Sequence, residues 1–368
     1  MRALAYADGA DTIAYGRPTA YAITPRTRTP RTPPTPRRRT AVRVPDPRAG
    51  ARRAPHRSPP DVVTVLPPNH GILVAMTPIT EVEGRRVVLS NLEKVLHPAT
   101  GFTKGELLHY YATAADALLP HLRDRPVSFL RYPDGPGGQV FFTKNVPPGT
   151  PDWVTTAEVR RMEGPARMVL VQDLASLMWA SNQVAEFHTP QWTVDSSDEA
   201  DRLVFDLDPG APATIVECCE VARWLRERLA ADGIEAYVKT SGSKGLHLLA
   251  AVRGASSERV SEYAKELAVE AETALPRQVV HRMNRSLRPG KVFVDWSQNA
   301  ARKTTAAPYT LRARAEPTVS APVTWAEVEE CVSPAQLVFR APDIAPRLRE
   351  HGDLLAPLLD PEAAHSLP

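Results

Sequence analysis

From Val87 onward, short apolar runs alternate with longer stretches of helical spacing, which predicts strands interleaved with helices. VVLSNLEKVL reads as a short strand or turn. In GELLHYYATAADALLPHL the positions Leu107, Leu108, Tyr111, Ala115, Leu118 and Leu119 recur near helical spacing, predicting one amphipathic helix. PVSFLRYPDG and QVFFTKN predict a hairpin closed around Asp134-Gly135 and Gly137-Gly138. MVLVQ reads as a strand and DLASLMWASNQV as a helix. LVFDLDPG is an apolar strand stopped by Pro-Gly, and TIVECCEVARWLRERLAADG is the helix after it. AYVKTSGSKGLHLLAAV predicts two strands joined by a glycine-rich turn. A helix from Ser257 to Leu275, the strand KVFVDWS and a helical tail after Ala321 complete one mixed α/β body without internal repeats.

The first 76 residues break this pattern. Between Pro25 and Pro60 the chain is mostly Pro, Arg and Thr with no apolar periodicity, too little buried surface to offset its conformational entropy. We expect a disordered leader over 1–76 and one domain over 77–368. The leader reads either as a dispensable tail, or sequence upstream of a start at Met76, or as a basic arm for DNA phosphates. It changes how the overall charge of +3 is understood: residues 1–75 hold 13 Arg and 4 Asp, a net of +9, so the remainder is −6. The folded part must therefore meet any polyanion through local patches and metal ions. Three cysteines (Cys218, Cys219, Cys331) without C-x-x-C spacing predict reduced core thiols, not zinc or disulfides. With no apolar run long enough to span a bilayer and Asp8 and Asp11 near the N-terminus, a cytoplasmic protein is expected.

Candidate chemistry begins with Asp206 and Asp208. On a strand, positions i and i+2 share a face, so both carboxylates project together at its end, where they could hold hard divalent cations. A lone D-x-D is weak; the apolar run before it and Pro-Gly after it strengthen it. Asp295 ends the strand VFVD in the same manner; a cap for the turn at Trp296-Ser297 is the alternative, weakened once Asp295 is weighed with Asp206 and Asp208. In TSGSKGLH (residues 240–247), glycines would let backbone N–H groups approach phosphate oxygens, with Ser241 as a donor and Lys244 as a point charge. An exposed tight turn is the alternative. His188, in VAEFHTPQW, reads by itself as a core or surface histidine. Arg288, Lys291, Arg302, Lys303, Arg312 and Arg314 supply basic groups around Asp295; solvated surface charge is the default for any one of them, phosphate binding the better reading for some.

FDLDPG, TSGSKGLH and KVFVDWSQN, in this order, resemble the polymerase domain of the multifunctional bacterial DNA ligase D, a branch of the archaeo-eukaryotic primase superfamily. LSNLEKVLHPATGFTKGELLHYY, DRPVSFLRYPDG, VFFTKN, EFHTPQW and APYTLRAR extend the likeness from about Leu89 to Leu355. The resemblance implies an α+β primase-polymerase fold, with an RNA-recognition-motif-like sheet carrying the acids and an N-terminal α/β module. It implies metal binding by Asp206, Asp208 and Asp295, and triphosphate contacts by Ser241, Lys244 and His247 with Arg312 assisting and Arg288 nearby. His188 becomes an active-site residue. Asn91, Lys94 and Lys104 would bind a 5′-phosphate across a gap, Phe141 and Phe142 would stack on the template, and Lys144 and Arg131 would meet DNA. Leu130 departs from relatives that carry a basic residue there.

Also implied are Mn²⁺ or Mg²⁺, DNA with 5′-phosphorylated ends or gaps, NTP or dNTP substrates with a ribonucleotide preference, and cooperation with Ku and a separate ATP-dependent DNA ligase in non-homologous end joining. No adenylating-ligase or phosphoesterase segment is found, so a stand-alone form is expected. A non-catalytic end-binding module, a de novo primase and a metal-dependent nuclease are the alternatives. A nuclease has less need of a triphosphate turn, and an end-binding module has no need of all three acids.

Overall fold

The structure, a computed structural model, describes residues 79–160 and 164–368, all within one unit, and the expected leader lies outside them. Strands Val279–Val280, Val292–Asp295, Ala200–Pro209, Leu246–Ala255, Tyr237–Thr240 and Pro322–Val323 form a six-stranded sheet in that spatial order. Only the first pair is parallel. Helix Ile215–Ala231 follows Ala200–Pro209, and helix Ser257–Ala274 follows Leu246–Ala255. The four middle strands with these two helices make the expected RNA-recognition-motif-like unit. Thr214 starts the first helix with a reciprocal capping box to Glu217, and Ser256 caps the second through the Arg259 amide. Both helices cover one face of the sheet. There Leu203, Phe205 and Leu207 pack with Cys218, Val221, Leu225, Val260 and Leu267, each full burial contributing roughly 1.5–3 kcal/mol.

A second sheet runs Thr305–Ala306, Ala185–Thr189, Pro126–Arg131, Ala166–Leu170, Thr156–Val159, with Phe141–Thr143 also paired to Pro126–Arg131. Helices Lys104–Thr113, Ala115–Leu122 and Leu174–Ser181 join its core, as do Tyr309 and Leu311. This is the expected N-terminal α/β module. The three cysteines are free and buried, and no helix among the described residues is long and apolar enough to cross a membrane.

Three expectations need correction. The single helix expected over GELLHYYATAADALLPHL is two, separated at Ala114 (φ −88°, ψ 1°). Thr113 Oγ1 donates back to the His109 carbonyl at 2.9 Å, the i−4 bond that bends helices. The tail after Ala321 is not wholly helical: Pro322–Val323 first adds an edge strand beside Tyr237–Thr240. Finally, EFHT and several pieces of two to four residues, such as Ile79–Val82 and Thr305–Ala306, are strands that the local pattern did not announce.

Candidate active site

The sheet face turned away from its two helices carries a row of ionisable residues. Asp206 stands directly opposite Asp295 on one neighbouring strand and His247 on the other, and His247 in turn faces Lys239. Directly opposed residues share a face and sit closest across a sheet, so Lys239, His247, Asp206 and Asp295 line up across four strands. Asp208, two residues beyond Asp206, falls on the same face. His247 Nε2 lies 3.5 Å from Asp206, Lys244 Nζ 3.6 Å and Arg288 Nη1 3.7 Å from Asp208. At these separations Lys244 and Arg288 balance the Asp208 carboxylate electrostatically. Arg288 is mostly buried, its guanidinium 3.6 Å over the Phe293 ring; burial lowers its pKa, while Asp208 and then Asp295 push it back up.

Asp295 caps its turn, one of the two roles the sequence allowed. Its Oδ1 accepts from the Ser297 amide (3.0 Å) and hydroxyl (2.6 Å), and Oδ2 from Gln298 (2.9 Å), which caps the 3-10 turn Trp296–Asn299. It still sits beside Asp206. Among the described residues, no three or more His, Cys, Asp or Glu already close up at ligand spacing. The donors nevertheless fit a hard divalent cation in kind: three carboxylates, adjacent in register, on two strands of one face.

The glycine-rich turn is built against this row. Ser241 is buried, and its hydroxyl accepts from the Ser243 and Gly245 amides, each at 3.2 Å. Gly242 has φ +68°, and a Cβ there would meet Arg312 at 2.6 Å. A Cβ on Gly245 would lie 2.0 Å from the Leu207 carbonyl oxygen, so only glycine lets the turn rest on the strand between the two acids. Lys244 Nζ donates to the Pro209 carbonyl at 3.1 Å.

Two residues that the sequence pattern did not single out complete the site. Glu186 lies fully buried two positions before His188 on one strand face. It accepts from His188 Nε2 and Arg312 Nε, both at 2.9 Å, and from the Ala313 amide at 2.7 Å. Burial would raise its pKa, but Arg312 and then His188 outweigh that and bring it down to about 2. Arg312 also donates to the Ser241 carbonyl, so one guanidinium ties the second sheet to the turn. Lys239 is buried with its ammonium nitrogen 2.6 Å from Ser320 Oγ, and burial pulls its pKa well below the usual lysine value. An acid at i−2 from the histidine, and a lysine at an inward position of an apolar strand, were the available signals.

The family model for "LigD, primase-polymerase domain" matches residues 103–355. The chain belongs to that family. It is 42% identical over 277 residues to the multifunctional non-homologous end joining protein LigD of Mycolicibacterium smegmatis, covering 74% of this chain and 36% of that one. With the bifunctional protein LigD of Bacillus subtilis it shares 30% over 270 residues, 73% of this chain and 43% of the other. The chain thus spans about a third to two fifths of the curated relatives' length. Among solved structures it resembles the polymerase domain from Mycobacterium tuberculosis ligase D in complex with DNA, with TM-score 0.71 and 42% identity over 74% of this chain and 98% of that one.

The remaining residues implied by the LigD likeness fall in two places. Asn91, Lys94 and Lys104 are together: Asn91 takes a left-handed φ of 55° and its carbonyl accepts from the Lys94 amide at 3.0 Å. The Lys104 amide donates to the Lys94 carbonyl at 2.8 Å. Lys94 Nζ pairs with Asp134 at 2.6 Å, while Lys104, nearly buried, reaches Ser90 Oγ at 3.3 Å. Burial first, then Lys94, lower the Lys104 pKa to about 8.

The aromatic strand sets its two rings on opposite faces. Phe142 registers with Leu130, which faces Glu186; Phe141 registers with Arg131, which faces Ala185. Adjacent strand residues point to opposite faces, so Phe142 and Leu130 belong to the face of Glu186 and His188, while Phe141 and Arg131 belong to the other. Both phenylalanines are exposed. Lys144 Nζ lies 5.6 Å from the Phe142 ring centroid and donates to the Arg302 carbonyl at 3.2 Å.

Proposed function

We propose that residues 77–368 form a metal-dependent, template-directed nucleotidyltransferase that extends or fills in DNA ends during double-strand break repair by non-homologous end joining. The observation that carries this reading is the adjacency of Asp206, Asp208 and Asp295 on one sheet face beside a turn that only glycine can close against them. In the reaction a primer 3′-hydroxyl oxygen bonds to the nucleotide α-phosphorus and pyrophosphate leaves. Mn²⁺ or Mg²⁺ held by the three aspartates would neutralise charge on the triphosphate and the attacking oxygen.

The protein groups do the rest by positioning. Lys244, His247 and Ser241 hold the triphosphate, and Arg288 adds charge where the leaving group develops it. Glu186 orients two of these groups at once: His188 toward the nucleotide, and Arg312 against the turn. Lys94, Lys104 and Asn91 receive the 5′-phosphate on the far side of a gap. The name of the DNA-bound ligase D neighbour supports DNA as substrate. A preference for ribonucleotides, and work alongside Ku and a separate ATP-dependent ligase, belong to the same reading.

The test is extension of a gapped, 5′-phosphorylated primer-template with Mn²⁺ and with Mg²⁺, comparing ribonucleotides with deoxyribonucleotides and wild type with Asp208→Ala. Template-directed addition that the variant loses supports the reading. No synthesis, together with tight binding to the same DNA, would replace it with an end-binding module.

A further inference from the structure

His97 is fully buried, three residues beyond Lys94 in the hairpin formed by Val95–His97 and Phe102–Thr103. Its Nδ1 lies 3.0 Å from the carbonyl oxygen of Arg314. A carbonyl only accepts, so Nδ1 carries the proton and donates. Burial holds the ring's pKa below the ordinary histidine value, in keeping with a neutral ring.

From Arg314 the contacts continue. The Arg314 amide donates to the Arg312 carbonyl at 2.8 Å, and the Arg312 guanidinium bonds Glu186 and the Ser241 carbonyl. The hairpin is also wedged from its other side. A Cβ on Gly135 would sit 2.1 Å from the Leu96 carbonyl oxygen, and the His97 ring meets Phe102 and Tyr132 edge-on at 5.5 and 6.4 Å. A packed hairpin of this kind transmits a displacement rather than absorbing it.

We infer that His97 is a positioning residue which couples phosphate occupancy at the Lys94–Lys104 hairpin to the grip of the Arg312–Ser241 turn on the incoming nucleotide. This rests on the proposed 5′-phosphate and nucleotide sites and adds a link between them. When the hairpin closes on a terminal phosphate, the His97–Arg314 bond sets the backbone that carries Arg312, and the nucleotide KM falls. Coupling is a difference of differences, so the experiment is a four-way comparison.

The full-length protein extends two gapped DNAs differing only in a 5′-phosphate or 5′-hydroxyl at the downstream strand. Nucleotide KM and kcat are measured on each, and the affinity of each DNA by fluorescence anisotropy. We expect the phosphate to lower wild-type KM about tenfold, within the usual 5–150-fold span of coupled sites. His97→Gln fills the space but places its amide nitrogen at the Nε2 position, so it loses the donor to Arg314. His97→Asn keeps a donor near Nδ1.

His97→Gln should bring the KM ratio below about twofold while kinetics on 5′-hydroxyl DNA and the binding preference for 5′-phosphate stay as in wild type, and His97→Asn should restore the ratio. A ratio retained in His97→Gln overturns the inference. So does a loss of 5′-phosphate binding in that variant, which would make His97 part of the pocket wall, and so does an equal loss on both DNAs. If wild type extends both DNAs alike, the 5′-phosphate reading falls together with the coupling, while nucleotidyl transfer itself stands.

Discussion

The strand Ala200–Pro209 is two sequences in one. On one side Leu203, Phe205 and Leu207 are completely buried beneath two helices; on the other Asp206 and Asp208 face Lys239, His247, Asp295 and the turn. The first side is held by burial of apolar surface. The second sets Asp206 and Asp208, left partly exposed, beside Lys239, His247 and Asp295, which are buried and each need a polar neighbour. Both faces are read in one ten-residue run, so a change of one register would exchange a core for an active site. Over Phe205 to Asp208, stability and chemistry should therefore separate by the parity of the position, whereas Val204, earlier on the acid-bearing face, packs in a small core of its own with Leu249 and Leu355.

The sharpest break of that separation is an acid. Asp206→Ala or Asp208→Ala should reduce nucleotide incorporation by on the order of 10³-fold, the scale of removing one preorganised electrostatic group, with an unchanged thermal melt; wild-type rates in either would discard the site. Phe205→Ala, one position away, should do the opposite. We expect a loss of about 3–5 kcal/mol in denaturant unfolding, with the kcat of the remaining folded protein intact.

Glu186→Gln tests a position that serves both roles. Its carboxyl, at about 2 in the folded protein against an ordinary 4.5, is a depressed acid. Its contribution is present above about pH 4.5 and disappears as pH falls toward 2, amounting to roughly 3 kcal/mol. The variant should lack that part of the acid-unfolding curve and should also lose nucleotide affinity, because Arg312 and His188 share the carboxylate. An unaltered acid limb would mean that Arg312 draws its compensation elsewhere.

The phenylalanines sharpen the comparison on the second sheet. Phe142→Ala should weaken template or nucleotide binding by about 1–3 kcal/mol, the worth of one base stack, and Phe141→Ala should affect a different ligand. Equal effects on the same step would show that the strand end twists both rings to one side. Lys104, lowered to about 8, gives the mildest signature. The preference for 5′-phosphate should fade as pH rises through that value, and Lys104→Arg, always charged, should keep it.

Much of this was legible because it is local. LVFDLDPG, KVFVDWS and the strands around TSGSKG declare themselves through alternation and glycine, and their acids follow from parity. The ligase D resemblance then gathered residues as far apart as Asn91 and Arg312. What escaped was decided across the chain. Glu186 gains its meaning from Arg312, 126 residues away, and Lys239 from Ser320, 81 residues away. Thr305–Ala306 and Pro322–Val323 are strands only because an edge awaits them.

Gly245 has a consequence for anyone redesigning this protein. Because a Cβ at 245 would overlap the Leu207 carbonyl, the turn and the acid strand are a single part and cannot be exchanged separately. A swapped-in turn with any side chain at 245 would push on the peptide between Asp206 and Asp208 and change their separation. Altered metal dependence, rather than altered nucleotide choice, would be the mark of such a graft.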